Sequence, residues 1–243
     1  MEIEKLPHRP RWSWWDAMMV LVALFALIPV TWALRKIIKN AVTALGVTGS
    51  SLQTLLLFSA TVIQATVMVL AVIVLTRRKG STGKDLGLIW QNPRNKILTG
   101  LLGGLVLGIG VIGVGALVSA ITGPPPPQDI ERFFSGIKTG RDLWLPFISV
   151  SVLAPFSEEL YFRGMIYPLF RVRLGPAGAM VLSALFFGAL HLDLYRLIPI
   201  SAGGIVLAYF YERTGSLLTS MVAHSTWNTL MLLMLFLAGG VTR

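Results

Sequence analysis

The chain has 243 residues, of which 54% are hydrophobic and only 13% charged, with a net charge of +10. An average globular domain carries about 25% charged residues, so the composition is that of an integral membrane protein. Its basic excess lies in loops between apolar runs, as headgroups and topology require, and not in a nucleic-acid footprint. The absence of Cys removes disulfides, a thiol nucleophile and thiolate metal ligands.

Met1–Arg11 is polar, with a solvated His8, and leads into a full-length apolar run with no small-residue cleavage site. That run is expected to be an anchor and not a cleaved signal. Trp12, Trp14 and Trp15 read as an aromatic belt, with Ala17–Leu34 as the first span. Leu52–Leu75 is the expected second span, and its Gln53 and Gln64 read as helix–helix contacts. A basic loop runs from Arg77 to Lys96, and Ile97–Ile121 is the third span. There Gly100, Gly104 and Gly108 recur every turn, which lets backbones approach closely. No Lys or Ser/Thr follows at the spacing of a phosphate loop.

Pro124–Pro127 ends this helix and stiffens a loop. Ile130, Phe133, Phe134 and Ile137 then fall on one helical face, predicting an amphipathic helix on the membrane surface. Asp142 stands where it can cap the next segment, Leu143–Phe170. Gly178–His191, Leu197–Tyr211 and Leu217–Leu237 complete the set. The expected fold is an all-α, polytopic membrane bundle of about seven transmembrane helices. It divides into a three-helix region (1–121), a loop with the interfacial helix (122–142) and a core (143–243). An N-terminus in the cytoplasm collects most of the Lys and Arg on that side of the plasma membrane.

The fourth segment carries Ser157-Glu158-Glu159-Leu160-Tyr161-Phe162-Arg163 near its middle. Each charge costs about 2.5–3.5 kcal/mol at the centre of a bilayer, against about 0.3–0.6 kcal/mol returned per large apolar residue. The segment therefore needs a bundle and partners. Pro155 removes one hydrogen bond and predicts a kink beside the acids. Glu159 and Arg163 are i, i+4 and can pair. Glu158 points about 100° away and can face a cavity. Ser157 reads as a cap or packing residue. One turn separates Phe187 from His191, and one turn separates His224 from Asn228. An acid, two His and an amide from three helices can converge on one water-filled site. Such a site supports water attack on an acyl carbon. Glu158 can be the base, His191 can share the water, and His224 and Asn228 can hold the oxyanion.

Glu-Glu-x-x-x-Arg, Phe-x-x-x-His and His-x-x-x-Asn, in this order over about Leu143–Leu237, resemble the CPBP family of membrane peptidases. That family includes type II CAAX prenyl endopeptidases, lysostaphin-resistance-type proteins, and bacteriocin-processing or immunity proteins. Tyr211-Glu-Arg-Thr-Gly-Ser-Leu is similar to the family as well. The resemblance implies an intramembrane endopeptidase in which Glu158 and His191 activate water and His224 and Asn228 form the oxyanion hole. Glu159, Arg163 and Phe187 would support the site. The substrate implied is a membrane-associated peptide or protein. His-Glu-x-x-His, Gly-x-Gly-Asp and Gly-x-Ser-x-Gly are all absent. No cofactor is expected; zinc on Glu158, His191 and His224 is the alternative. Two other readings stay open: a non-catalytic scaffold or immunity protein on the same fold, and a proton-coupled transporter using Glu158 and Glu159 as a relay.

Overall fold

The computed structural model describes residues 9–126 and 143–241. Every regular element among them is helical: α1 (Trp14–Ala44), α2 (Gly49–Arg78), α3 (Pro93–Thr122), α4 (Trp144–Ala189), α5 (Leu197–Thr214) and α6 (Leu217–Val241). All but α5 are long and apolar enough to cross a membrane, so the chain is a multi-pass membrane protein. Length and composition thus support five crossings where about seven were expected. The expected fourth and fifth spans form one 46-residue element, α4, broken at Gly175. The expected sixth, α5, has only 18 residues. Gly175 has φ 69°, a conformation costly for other residues, and Pro176 begins the second arm of α4. The expected surface helix at Ile130, Phe133, Phe134 and Ile137, the Asp142 cap and His8 lie outside the described residues.

No sharp kink marks Pro155. The helix instead widens into two π-helical stretches, Ser149–Leu153 and Leu160–Ile166, on either side of Ala154–Glu159. Each has a proline just downstream. The ring of Pro155 would meet the carbonyl of Ser151 in a regular α-helix, and that of Pro168 the carbonyl of Gly164. Widening the turn moves those carbonyls aside. The ladder shifts to i→i+5, with the Ala154 N–H on the Ser149 carbonyl and the Tyr167 N–H on the Phe162 carbonyl.

The charged part of α4 lies between two groups of helices. α1 and α2 pack on one side, while α6 packs on the other with α3 and α5 behind it. One hydrophobic core joins Trp12, Ala17, Val20, Met68 and Val72 to Leu160–Tyr167, Phe187, Ala208 and Tyr211. The Trp belt is corrected accordingly. Trp15 is exposed, but Trp12 is buried and its indole N–H donates to the Met165 carbonyl at 2.9 Å, inside the second wide stretch. A tryptophan with a carbonyl available in the core gains more there than at a wet interface. Ser13 and Asp16 cap α1 reciprocally.

α3 meets α6 backbone to backbone. A Cβ on Gly100 would lie 2.7 Å from Val222 Cβ, and one on Gly104 2.5 Å from the Ala223 carbonyl oxygen. The loop between α2 and α3 is also embedded. Leu86 is buried, the Leu217 N–H donates to the Gly87 carbonyl (2.8 Å), and Ser216 Oγ donates to the Ile89 carbonyl (2.8 Å). These bonds satisfy groups at the start of α6 that have no partner within the helix. Arg11 donates to the Gly80 carbonyl, Arg173 lies over the Trp14 ring, and Arg171 pairs with Glu212. The start of α1, the α2–α3 loop, the break in α4 and the α5–α6 turn therefore share one end of the bundle.

Candidate active site

The site is built on the short α-helical step between the two wide turns. Glu159 is fully buried and accepts from Arg163 Nη1 at 2.7 Å through Oε1. The same oxygen accepts from His224 Nδ1 at 2.9 Å. Arg163, also buried, gives Nη2 to the Gly204 carbonyl on α5 (2.9 Å) and lies 4.9 Å from the centre of the Phe187 ring. This network ties α4, α5 and α6 together. The i, i+4 pair expected from the sequence is present, although Glu159 Oε2 and Arg163 Nε stay buried without a hydrogen-bond partner.

Phe187 is the hub of the aromatic packing. Its ring meets His191 edge-on at 4.7 Å, His224 at 5.7 Å and Phe162 at 4.9 Å. His191 Nδ1 lies 2.8 Å from the Phe187 carbonyl. A carbonyl can only accept, so Nδ1 carries the proton and Nε2 keeps its lone pair. His224 stacks on Trp227, and its Nδ1 donates to the Glu159 carboxylate for the same reason. Its Nε2 stands 3.8 Å from Glu158 Oε2.

Glu158 is the acid left accessible, with its side chain 22% exposed. Together with His191 it lines a cavity of about 370 Å³. The structure therefore gathers Glu158, His191, His224, Glu159, Arg163 and Phe187 in one region. Asn228 is turned elsewhere: its Nδ2 donates to the Val150 carbonyl at 2.9 Å. In the wide stretch that carbonyl would look five residues ahead for a donor, to Pro155, which has no N–H. Asn228 supplies the missing bond with one amide hydrogen and keeps the other. Ser157 bonds back to the Leu153 and Ala154 carbonyls, as a packing residue would.

Among the described residues no three His or acidic side chains converge as metal ligands. Glu158, His191 and His224 do not fit zinc as they stand, and no step below runs through a metal.

Two features escaped the sequence. Most of the cavity wall comes from α1 and α2, including Gln64, Met68, Leu24 and Ile28. Gln64, expected to be a helix–helix contact, has no hydrogen-bonded partner among the described residues and lines that cavity. An amide in an apolar run carries no mark that separates the two roles. Glu212 accepts from Arg171 Nε and Nη2 and from the Tyr167 hydroxyl, each at 2.8 Å, clamping α4 to α5. The sequence offered only the family-like Tyr211-Glu-Arg run as a signal.

Residues 140–230 match the family described as "Type II CAAX prenyl endopeptidase Rce1-like". The chain is 31% identical over 90 residues to "Putative membrane peptidase YdiL" of Bacillus subtilis, 37% of either chain. It is 35% identical over 89 residues to "UPF0177 protein YaiF" of Lactococcus lactis, 35% of this chain and 38% of the relative. An "Uncharacterized 24.3 kDa protein" of Escherichia coli is 31% identical over 127 residues, 50% of this chain and 58% of the relative. The chain thus spans little more than a third of the first two relatives' length. No solved structure matches it with significance.

Proposed function

Because residues 140–230 of this chain are a CPBP-family, Rce1-like segment, we propose that the protein is an intramembrane endopeptidase that hydrolyses a peptide bond with water activated by Glu158. The observation that carries the reading is the division of labour between two adjacent acids. Glu159 is locked to Arg163 and His224, whereas Glu158 opens onto a cavity that it shares with His191.

In this reading Glu158 takes a proton from water while the oxygen bonds to the acyl carbon and the carbonyl electron pair moves onto oxygen. His191 accepts from the same water through Nε2. As the C–N bond breaks, Glu158 returns the proton to the leaving nitrogen, so an acid and an amine are released. The oxyanion is met by His224 Nε2–H and by the second amide hydrogen of Asn228. Donation from Nε2 requires the His224 ring to carry protons on both nitrogens. A positioned base contributes roughly 10²–10⁴-fold and one oxyanion donor roughly 10²–10³-fold.

The test uses the full chain reconstituted in vesicles of phosphatidylethanolamine and phosphatidylglycerol. Its substrates are a library of quenched fluorescent peptides held to the bilayer by an apolar anchor. Glu158→Gln keeps the shape and removes the base, so turnover should fall about 10²–10⁴-fold while peptide binding persists. Cleavage at the wild-type rate by this variant overturns the assignment. If neither protein cleaves, and Glu158→Gln still supports the cellular phenotype, the scaffold or immunity reading replaces it.

A further inference from the structure

We propose that Gln64 of α2 is the substrate-positioning donor of this site, binding a backbone carbonyl of the peptide held between α1, α2 and α4. The inference rests on the endopeptidase reading for the identity of the ligand. Its geometry stands apart from the matched segment, because Gln64 lies far outside residues 140–230.

Four polar side chains at most break the apolar lining of the 370 Å³ cavity apart from the Tyr161 hydroxyl: Thr31, Gln64, Glu158 and His191. Each except Gln64 has a role or partner that leaves it no free donor. The Thr31 hydroxyl donates to the Ile28 carbonyl at 2.9 Å. The Tyr161 hydroxyl donates to the Ala17 carbonyl at 3.1 Å. His191 gives its Nδ1 proton to Phe187, and an ionised Glu158 has no proton to give. The donors named for the oxyanion, His224 and Asn228, belong to α6 and lie outside this cavity's lining; each has one hydrogen committed to Glu159 or Val150 and one left, which the attacked carbonyl takes.

A peptide lying in the cavity brings carbonyls that have lost water. Those not attacked need donors of their own, because an unsatisfied buried carbonyl weakens binding. Gln64 offers two N–H groups, carries no charge that would disturb Glu158, and sits on a helix braced to α4 through Met68 and Val72. Around it Leu24, Phe25, Ile28 and Met68 form an apolar wall. The ligand it suits is an extended peptide whose carbonyl meets Gln64 and whose adjacent side chain is apolar.

The experiment measures cleavage and binding of the best-cleaved peptide of the anchored library, with the vesicle-reconstituted full chain. Gln64→Leu removes both donors at similar size. It should raise KM about 2–10-fold, the worth of one neutral hydrogen bond, with kcat within about twofold of wild type. Gln64→Asn, which keeps the amide on a shorter stem, should recover part of the loss. Binding by anisotropy in the Glu158→Gln background separates the two proposals. There Gln64→Leu should weaken the peptide by the same 2–10-fold. Gln64-dependent binding without wild-type cleavage would sink the peptidase reading and leave the donor assignment standing. Equal Kd with and without Gln64→Leu overturns the assignment of Gln64.

Discussion

Arg163 has no water to fall back on. Arg163→Ala leaves the Glu159 carboxylate buried against His224 alone and frees the Gly204 carbonyl. Removing one partner of a buried pair typically costs about 3–5 kcal/mol. Thermal melting in detergent should drop sharply along with activity; a wild-type melting point with activity lost would put Arg163 in contact with substrate. Asn228→Ala should fail on both counts too, with turnover down about 10²–10³-fold and stability down about 1–3 kcal/mol from the unpaired Val150 carbonyl. Melting that stays at the wild-type value would remove the structural half of that claim. Zinc in the purified protein is expected to be sub-stoichiometric, with the rate unchanged by a strong chelator. Stoichiometric zinc that disappears in both His191→Ala and His224→Ala would reverse this. The residues of the site were legible because polar groups in an apolar run are few and fall at helical spacing. Asn228's bond to Val150 was not, since it depends on which register the helix adopts around Pro155.

The ends of the expected helices were close to those observed for α2, α3, α5 and α6, where apolar runs stop at basic or glycine-containing loops. α4 was harder. Hydropathy separates Leu143–Phe170 from Gly178–His191 but cannot say whether the chain turns or continues. Nor does it reveal that a proline's missing hydrogen bond is absorbed over a wide turn instead of a bend. Pro155→Ala restores a donor to the ladder and should let Ser149–Leu153 relax toward an ordinary α-helix. Residues upstream would rotate, and the Val150 carbonyl would leave Asn228. The variant should keep its helix content and lose turnover; wild-type turnover would make the wide stretch incidental. On α3 the glycine repeat is a close-approach surface, as its one-turn spacing predicts. Gly104→Leu should push α3 off Ala223 and cost about 1–3 kcal/mol or more, seen as a lower melting temperature. Gly110→Leu, where no atom lies within 4 Å of the added Cβ, should be tolerated.

Across the whole molecule, topology follows from which turns meet. The α2–α3 loop touches the start of α6, and Arg171 before the α4 break pairs with Glu212 before the α5–α6 turn. Reporter fusions at Lys84 and Arg213 should therefore report the same side of the membrane, and a fusion at Arg243 the other. Opposite reports from Lys84 and Arg213 would break this arrangement. A cytoplasmic report from Lys84 is the outcome that the loop charge predicts. The Trp12 bond to Met165 also has a meaning in time. Its partners lie 153 residues apart in the chain, and a ribosome adds roughly 5–20 residues each second. About 8–30 s pass between the synthesis of the indole and the arrival of its acceptor. For that interval Ala17 and Val20 of the first helix lack the α4 face that covers them in the finished fold, a half-built wall that the fourth helix completes.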